Sequence, residues 1–307
     1  MKFEILIDDF FSKYTTDNSL NPIANKKILT IVNDYEDGVC RFEKFQKFIW
    51  NNIKETALSI QERNSLVCEG EDSVLTEAAK KLRLIEDPND DYNGKGGEIA
   101  EILLYGIMRN HYNALPVVPK IFYKQNRQDF AKGADSVHIV IEDNDNFSLW
   151  FGESKFYNSI ENARLQKVVD SVNESLKLEK LKKENSIITN ISDLDLFSEI
   201  SDEMRNKIKL FLDQSESIDT IKPILNIPIL LVYECEITKK ATDFNVKYKD
   251  EIIEYHKDRA TKYFEKQILT CSTIHKYSEI KFHIILFPVA DKKQIEDKFI
   301  LKAKSYK

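Results

Sequence analysis

Residues Asp135–Lys155 read DSVHIVIEDNDNFSLWFGESK. Two runs rich in β-branched and aromatic residues, Ser136–Ile141 and Phe147–Phe151, flank the polar run Glu142–Asn146, the composition of a hairpin loop. Symmetry about Asn144 sets Asp135 opposite Glu153, Val137 opposite Phe151, Ile139 opposite Leu149, and Ile141 opposite Phe147. Side chains on a strand alternate faces with period two, so all of these point the same way. That face is apolar from the tip inward and ends in two facing carboxylates. Lys155, two residues beyond Glu153, joins them. The other face receives Ser136, His138, Glu142, Ser148, Trp150 and Ser154, and His138 is read there as structural.

Two like charges directly opposite each other destabilise a sheet, and placing them at the end of an apolar face adds a desolvation cost. A plain salt bridge to Lys155 relieves part of this. A divalent cation between the carboxylates relieves more and is the preferred reading. Hard cations such as Mg²⁺ (or Mn²⁺) favour a few carboxylates plus water and phosphate oxygens. A cation so held activates a water and clamps a phosphodiester, while a lysine orients the water or stabilises developing charge. Asp135, Glu153 and Lys155 are therefore the candidate catalytic set, with Asp135 and Glu153 as metal ligands. Glu98 and Glu101 lie three apart near the start of a helix, where negative charge is favoured for its own sake. One of them reaching the metal is the functional reading, and the residues do not choose between them.

Outward from the hairpin, Glu98–Asn110 reads as a helix, Pro116–Tyr123 as a strand, and Ile160–Leu181 as a long helix. Ile227–Cys235 and Ile280–Phe287 are continuous apolar runs suited to the middle of a sheet covered on both faces. Tyr248–Leu269 lies between them as a helix, with a short helix at Lys292–Phe299. Helix, three strands, helix, strand, helix, strand is an α/β arrangement. The first stretch reads as mainly helical after an opening strand at Phe3–Ile7, with helices over Arg41–Arg63 and Val74–Leu84. The turn-rich run Asp87–Gly94 then suggests a junction near residue 90. The expected organisation is a mainly helical region over 1–90 and an α/β domain over 91–307, the latter with an acidic helical insertion near 182–222.

The whole chain sets further bounds. It has 307 residues, 42% of them hydrophobic, enough for one large or two smaller folded units. The opening MKFEILIDDFF lacks the basic patch and long apolar core of a secretory signal. No apolar stretch reaches the roughly 18–20 residues that a membrane span needs, so a cytoplasmic protein with no membrane partner is expected. Cys40, Cys68, Cys235 and Cys271 form no CxxC or CxxH pair, which leaves zinc binding by a compact motif unsupported. The net charge of −6 argues against a general DNA-coating role, because non-specific affinity comes from Lys and Arg neutralising phosphates.

Helix-Glu, strand-Asp, then Glu-x-Lys resembles the PD-(D/E)xK nuclease superfamily, and the element order is similar to its αβββαβ core. That resemblance implies a restriction-endonuclease-like fold with a mixed central sheet. The blocks TEAAKKLRL at Thr76–Leu84, GKGGEIAEILLY at Gly94–Tyr105, PKIFYK at Pro119–Lys124, KGADSVHIV at Lys132–Val140 and LWFGESKFY at Leu149–Tyr157 resemble the HamA family, the nuclease subunit of the Hachiman anti-phage defence system. On that pattern Asp135, Glu153 and Lys155 fall on the catalytic positions, and Glu98 and Glu101 on the helix motif. The resemblance implies a helicase partner (HamB-like) that restrains the nuclease, releases or directs it on sensing damage or phage, and leads to indiscriminate DNA cleavage. An acidic nuclease is compatible with a partner that grips the DNA.

Candidate DNA contacts are Arg127 and Lys132, on the connection leading to Asp135, and Arg164 and Lys167, on the helix after the Glu-x-Lys, with Lys120 and Lys124 beside them; for all but Arg127 and Lys132 a solvated face is the preferred reading. Gln166 is a candidate supporting residue for the site. Tyr157 and Trp150 offer stacking surfaces, with packing as the default. Two other functions stay in view: a catalytically silent adaptor or DNA-binding module docking on a helicase, and a restriction-type enzyme reading a defined sequence.

Overall fold

The structure, a computed structural model, describes residues 3–83, 95–121, 133–143, 146–191, 193–213 and 215–306. Seven strands form a mixed sheet in the order β1-β2-β9-β8-β7-β6-β5. These are β1 (Glu4–Phe10), β2 (Lys26–Val32), β5 (Leu115–Val118), β6 (Ser136–Glu142), β7 (Asn146–Tyr157), β8 (Leu225–Glu234) and β9 (Lys281–Val289), with β3 (Tyr35–Glu36) and β4 (Val39–Cys40) making a separate small ribbon. β2, β9, β8 and β7 run parallel to one another, and β1, β6 and β5 are antiparallel to their neighbours. The apolar runs in β8 and β9 lie in the middle of the sheet, buried along nearly their whole length, as strands covered on both faces must be.

Helices cover the two faces. On one side pack α1 (Phe42–Ala57), α3 (Glu71–Lys80), α4 (Lys95–Tyr112) and α11 (Lys292–Lys304), against Trp150, Phe156, Leu230, Val232, Ile285 and Phe287. On the other pack α5 (Asn162–Ser175), α6 (Leu178–Ile191), α7 (Asp202–Phe211) and α10 (Val246–Cys271), against Val137, Ile139, Leu149, Phe151, Ile229 and Leu231. Short helices α2 (Ile60–Leu66), α8 (Ile218–Ile221) and α9 (Glu236–Lys240) complete the set among the described residues. Among these residues no helix is long and apolar enough to cross a membrane.

The hairpin has the register read from the sequence: Val137 faces Phe151, Ile139 faces Leu149, and Ile141 faces Phe147. Other expectations need amendment. The first ninety residues are not merely helical, because Lys26–Val32, a β-branched run of strand length, pairs in parallel with β9 and carries β1 at the sheet edge. The expected strand Pro116–Tyr123 stops at Val118, and Lys120–Ile121 begin a helical turn. β7 runs on to Tyr157 because its second partner, β8, pairs with it from Leu149 to Tyr157, past the point where β6 ends. The long helix after it breaks in two between Ser175 and Leu178. Within the acidic stretch near 182–222, Ile187, Ile188, Met204, Ile208 and Ile221 are buried in the same core as the hairpin.

Candidate active site

Beyond the rung between Ser136 and Gly152 the β6–β7 ladder ends, and there the candidate site begins. Asp135 still donates its N–H to the Gly152 carbonyl at 2.8 Å. Its carboxylate turns back on β7: Oδ2 accepts the Ser154 N–H at 3.0 Å and the Ser154 hydroxyl at 3.3 Å. A strand amide past the end of its ladder is thus satisfied by a side chain. Gly152 lies on the opposite face, under α4. A β-carbon there would stand 2.2 Å from Ser136 Oγ and 2.7 Å from Leu104 Cδ2. Glycine at this point lets α4 lie close to the strand.

Glu153 and Lys155 alternate onto the face that holds Phe151, Ile229 and Leu231. Glu153 is 5% exposed. The Lys155 ammonium donates to Glu153 Oε1 at 2.5 Å and lies 3.8 Å from Asp135 Oδ2. Ser171, on α5, donates its hydroxyl to the same Glu153 oxygen at 2.6 Å. Burial, and then the Asp135 charge, raise the Glu153 carboxyl above its ordinary value, with Lys155 and Ser171 opposing them. For Lys155 burial alone would lower the ammonium's pKa, but the two carboxylates outweigh it and raise it. Lys155 is therefore a firmly held cation, and Glu153 is a carboxylate that holds its proton more tightly than usual.

Tyr157 and Arg164 form the rim. The Arg164 guanidinium lies 5.3 Å from the centre of the Tyr157 ring and donates to the Ser159 carbonyl at 3.2 Å. Burial raises the Tyr157 hydroxyl's pKa, and the charges of Lys155, Glu153 and Arg164 all reach it. Lys167 is exposed on the outer side of α5. Arg127 and Lys132 lie outside the described residues, as does Lys124.

The remaining candidates fall elsewhere. Gln166 donates to Asp170 at 2.9 Å and to Thr270 at 3.4 Å, so the polar support that α5 gives the site comes from Ser171. Glu98 accepts the Arg83 N–H at 3.0 Å, and both Glu98 and Glu101 sit on α4, on the other face of the sheet from Glu153. Among the described residues no group of three or more His, Cys, Asp and Glu side chains is set to hold a metal. The structure gathers Asp135, Glu153 and Lys155 and leaves the two helix glutamates outside that group. His138 is fully buried beside Tyr105, ring centres 4.5 Å apart, on the face expected for it. Burial lowers its pKa to about 3, so it is neutral at ordinary pH. Lys120 is not a phosphate contact: it is 1% exposed and pairs with Glu184.

The donor set suits a hard divalent cation. Asp135 and Glu153 offer carboxylate oxygens at the end of an apolar face, and burial and the neighbouring Asp135 charge, which raise the Glu153 carboxyl, are both conditions that a bound cation would relieve. Two protein carboxylates are the usual number for Mg²⁺, which keeps waters and takes phosphate oxygens for its other positions.

The family model described as HamA matches residues 8–303. No curated protein matches the chain.

Proposed function

The chain belongs to the HamA family of Hachiman anti-phage defence, and on that premise we propose that it is the system's nuclease effector, a metal-dependent DNA endonuclease controlled by a helicase partner. The observation that carries this reading is the meeting of Asp135 and Glu153 where the β6–β7 ladder ends, with the Lys155 ammonium between them. Asp135 and Glu153 would hold the cation, Mg²⁺ or Mn²⁺. Bound there, it would supply a water ionised at neutral pH and a Lewis acid for the phosphodiester.

The chain's own residues set the rest. Lys155, its pKa raised by the two carboxylates, stays protonated at neutral pH. It serves as a donor to phosphate oxygens and a counter-charge to the developing pentacovalent centre, not as a base. Ser171 and Ser154 orient the two carboxylates. Arg164 and Tyr157 offer a charged, flat rim to the nucleic-acid backbone. A net charge of −6 is compatible with delivery of the DNA by a partner that grips it, since non-specific affinity comes from Lys and Arg neutralising phosphates.

Purified protein should nick or degrade DNA with Mg²⁺ or Mn²⁺ and lose this with EDTA. Glu153→Ala and Lys155→Ala should each abolish it. Cleavage by either variant at the wild-type rate refutes the site. Phage defence retained in cells carrying Glu153→Ala would instead favour an adaptor that docks on a helicase without cutting.

A further inference from the structure

Against the two residues that precede Asp135 stands a pair of charges that the proposed chemistry does not use. Lys120, just past β5, and Glu184, on α6, are 1% and 2% exposed. The Lys120 ammonium reaches both oxygens of the Glu184 carboxylate, at 2.9 and 2.7 Å. Oε1 of that carboxylate also accepts the Ala134 N–H at 2.9 Å. At Gly133 a β-carbon would stand 1.8 Å from the same oxygen, so the carboxylate rests directly on the backbone and glycine is required. Gly133 and Ala134 are the two residues immediately before Asp135.

A fully buried ion pair is seldom a net gain over an apolar pair of the same shape, and its best-attested use is to fix a register. Here it fixes a piece of chain that the sheet does not. The β6–β7 ladder starts at Ser136, so Gly133 and Ala134 lie outside it. Ser154 holds the Asp135 carboxylate, while Glu184 grips the backbone that carries it. We infer that Glu184, oriented by Lys120, is a positioning residue for Asp135. By holding Gly133–Ala134 from outside the site, it sets where Asp135 stands against Glu153, and with that the site's affinity for a divalent cation. This rests on the reading of Asp135 and Glu153 given above. Glu184 touches neither the cation nor the substrate.

Two paired variants of the full chain test this without leaving a lone buried charge. Lys120→Met with Glu184→Leu removes the acceptor for Ala134, while Lys120→Met with Glu184→Gln keeps an amide oxygen in its place. Folding is checked by circular dichroism and thermal melting, Mn²⁺ binding by calorimetry, and Mn²⁺-dependent plasmid nicking alongside. The Leu pair should bind Mn²⁺ at least about tenfold more weakly, the usual cost of losing a supporting contact at a metal site, and the Gln pair should stay within about threefold of wild type. A folded Leu pair with wild-type affinity overturns the inference, as does a Gln pair as weak as the Leu pair. Should the Leu pair not fold, Gly133→Ala, which displaces the same carboxylate, should weaken binding alike, and a folded Gly133→Ala protein with wild-type affinity overturns the inference. Glu153→Ala separates the two levels. If wild-type binding is absent or survives that change, the metal reading fails and takes this inference with it. If binding depends on Glu153 and ignores the Glu184 variants, this inference alone fails.

Discussion

Replacing Lys155 with methionine removes the charge that lies 2.5 Å from Glu153 and 3.8 Å from Asp135 while keeping most of the packed stem. Breaking a buried pair in this way costs about 3–5 kcal/mol when the remaining charge stays ionised. Glu153 has an escape, because it can take up a proton. Holding that carboxyl protonated at pH 7, against an ordinary value of 4.5, costs about 3.4 kcal/mol, at 1.36 kcal/mol for each pH interval. The smaller figure wins, so the loss at pH 7 is capped near it. At pH 5 the same proton costs only about 0.7 kcal/mol. The sign follows from linkage: a carboxyl whose pKa rises on folding penalises the folded state increasingly as pH climbs from the ordinary value to the folded one, and not at all below the ordinary value. Urea denaturation at both pH values is the assay. The Lys155→Met protein should be less stable than wild type by up to about 3 kcal/mol at pH 7, the already raised Glu153 carboxyl of the wild type taking up part of that difference, and within about 1 kcal/mol of it at pH 5. An equal loss at the two pH values, or none at pH 7, refutes the claim that Lys155 is what neutralises the facing carboxylates.

Ser171→Ala removes a 2.6 Å hydrogen bond to Glu153; bonds to charged groups are worth about 1.5–3 kcal/mol, so the Glu153 carboxyl should climb by about one to two pH units. Mn²⁺ binding, which needs that carboxylate ionised, should then fail at a correspondingly higher pH in calorimetric titrations between pH 5 and 8; an unmoved profile counts against the Ser171 contact. Gly152→Ala drives a methyl into Ser136 and Leu104 and should cost about 1–3 kcal/mol in urea denaturation, the range for overpacking a well-filled site. Lys120→Ala leaves Glu184 buried and unpaired and should cost about 3–5 kcal/mol by the same measurement, more than the Lys120→Met, Glu184→Leu pair loses.

The hairpin was legible because two independent signals agreed. The period-two alternation and the central polar loop each fix the register, and a one-residue slip would have exposed Val137, Ile139, Leu149 and Phe151 together. β2 carried a readable signal in Ile28–Val32, but a short apolar run does not separate strand from helix by periodicity, and its partner β9 stands at the other end of the chain. Lys120 was misread because a lysine is solvated by default, and only the burial of both charges shows otherwise. Glu184 lies at helical spacing from Leu181, Ile187 and Ile188, so an acid within an apolar stripe was visible. What it holds was not, since Gly133 and Ala134 come from a distant part of the chain. Ser171 stood beside Gln166 on the same helix, and telling them apart needed the rotation of that helix against β7, which packing decides.

The sheet takes its strands from the two ends of the chain, and this bears on how the protein is made. The stretch of β7 that carries Glu153 and Lys155 runs past β6 and rests on β8; β8 is flanked in turn by β9, which β2 and β1 complete. During synthesis, then, Asp135, Glu153 and Lys155 leave the ribosome well before the strands that fix them. A growing chain has the residues of the site before the strands that flank them, and a product lacking β9 would leave the β1–β2 pair cut off from the rest of the sheet and one edge of β8 uncovered. The geometry of the site thus depends on strands made well after its own residues, and the sheet around it closes only when β9 is in place.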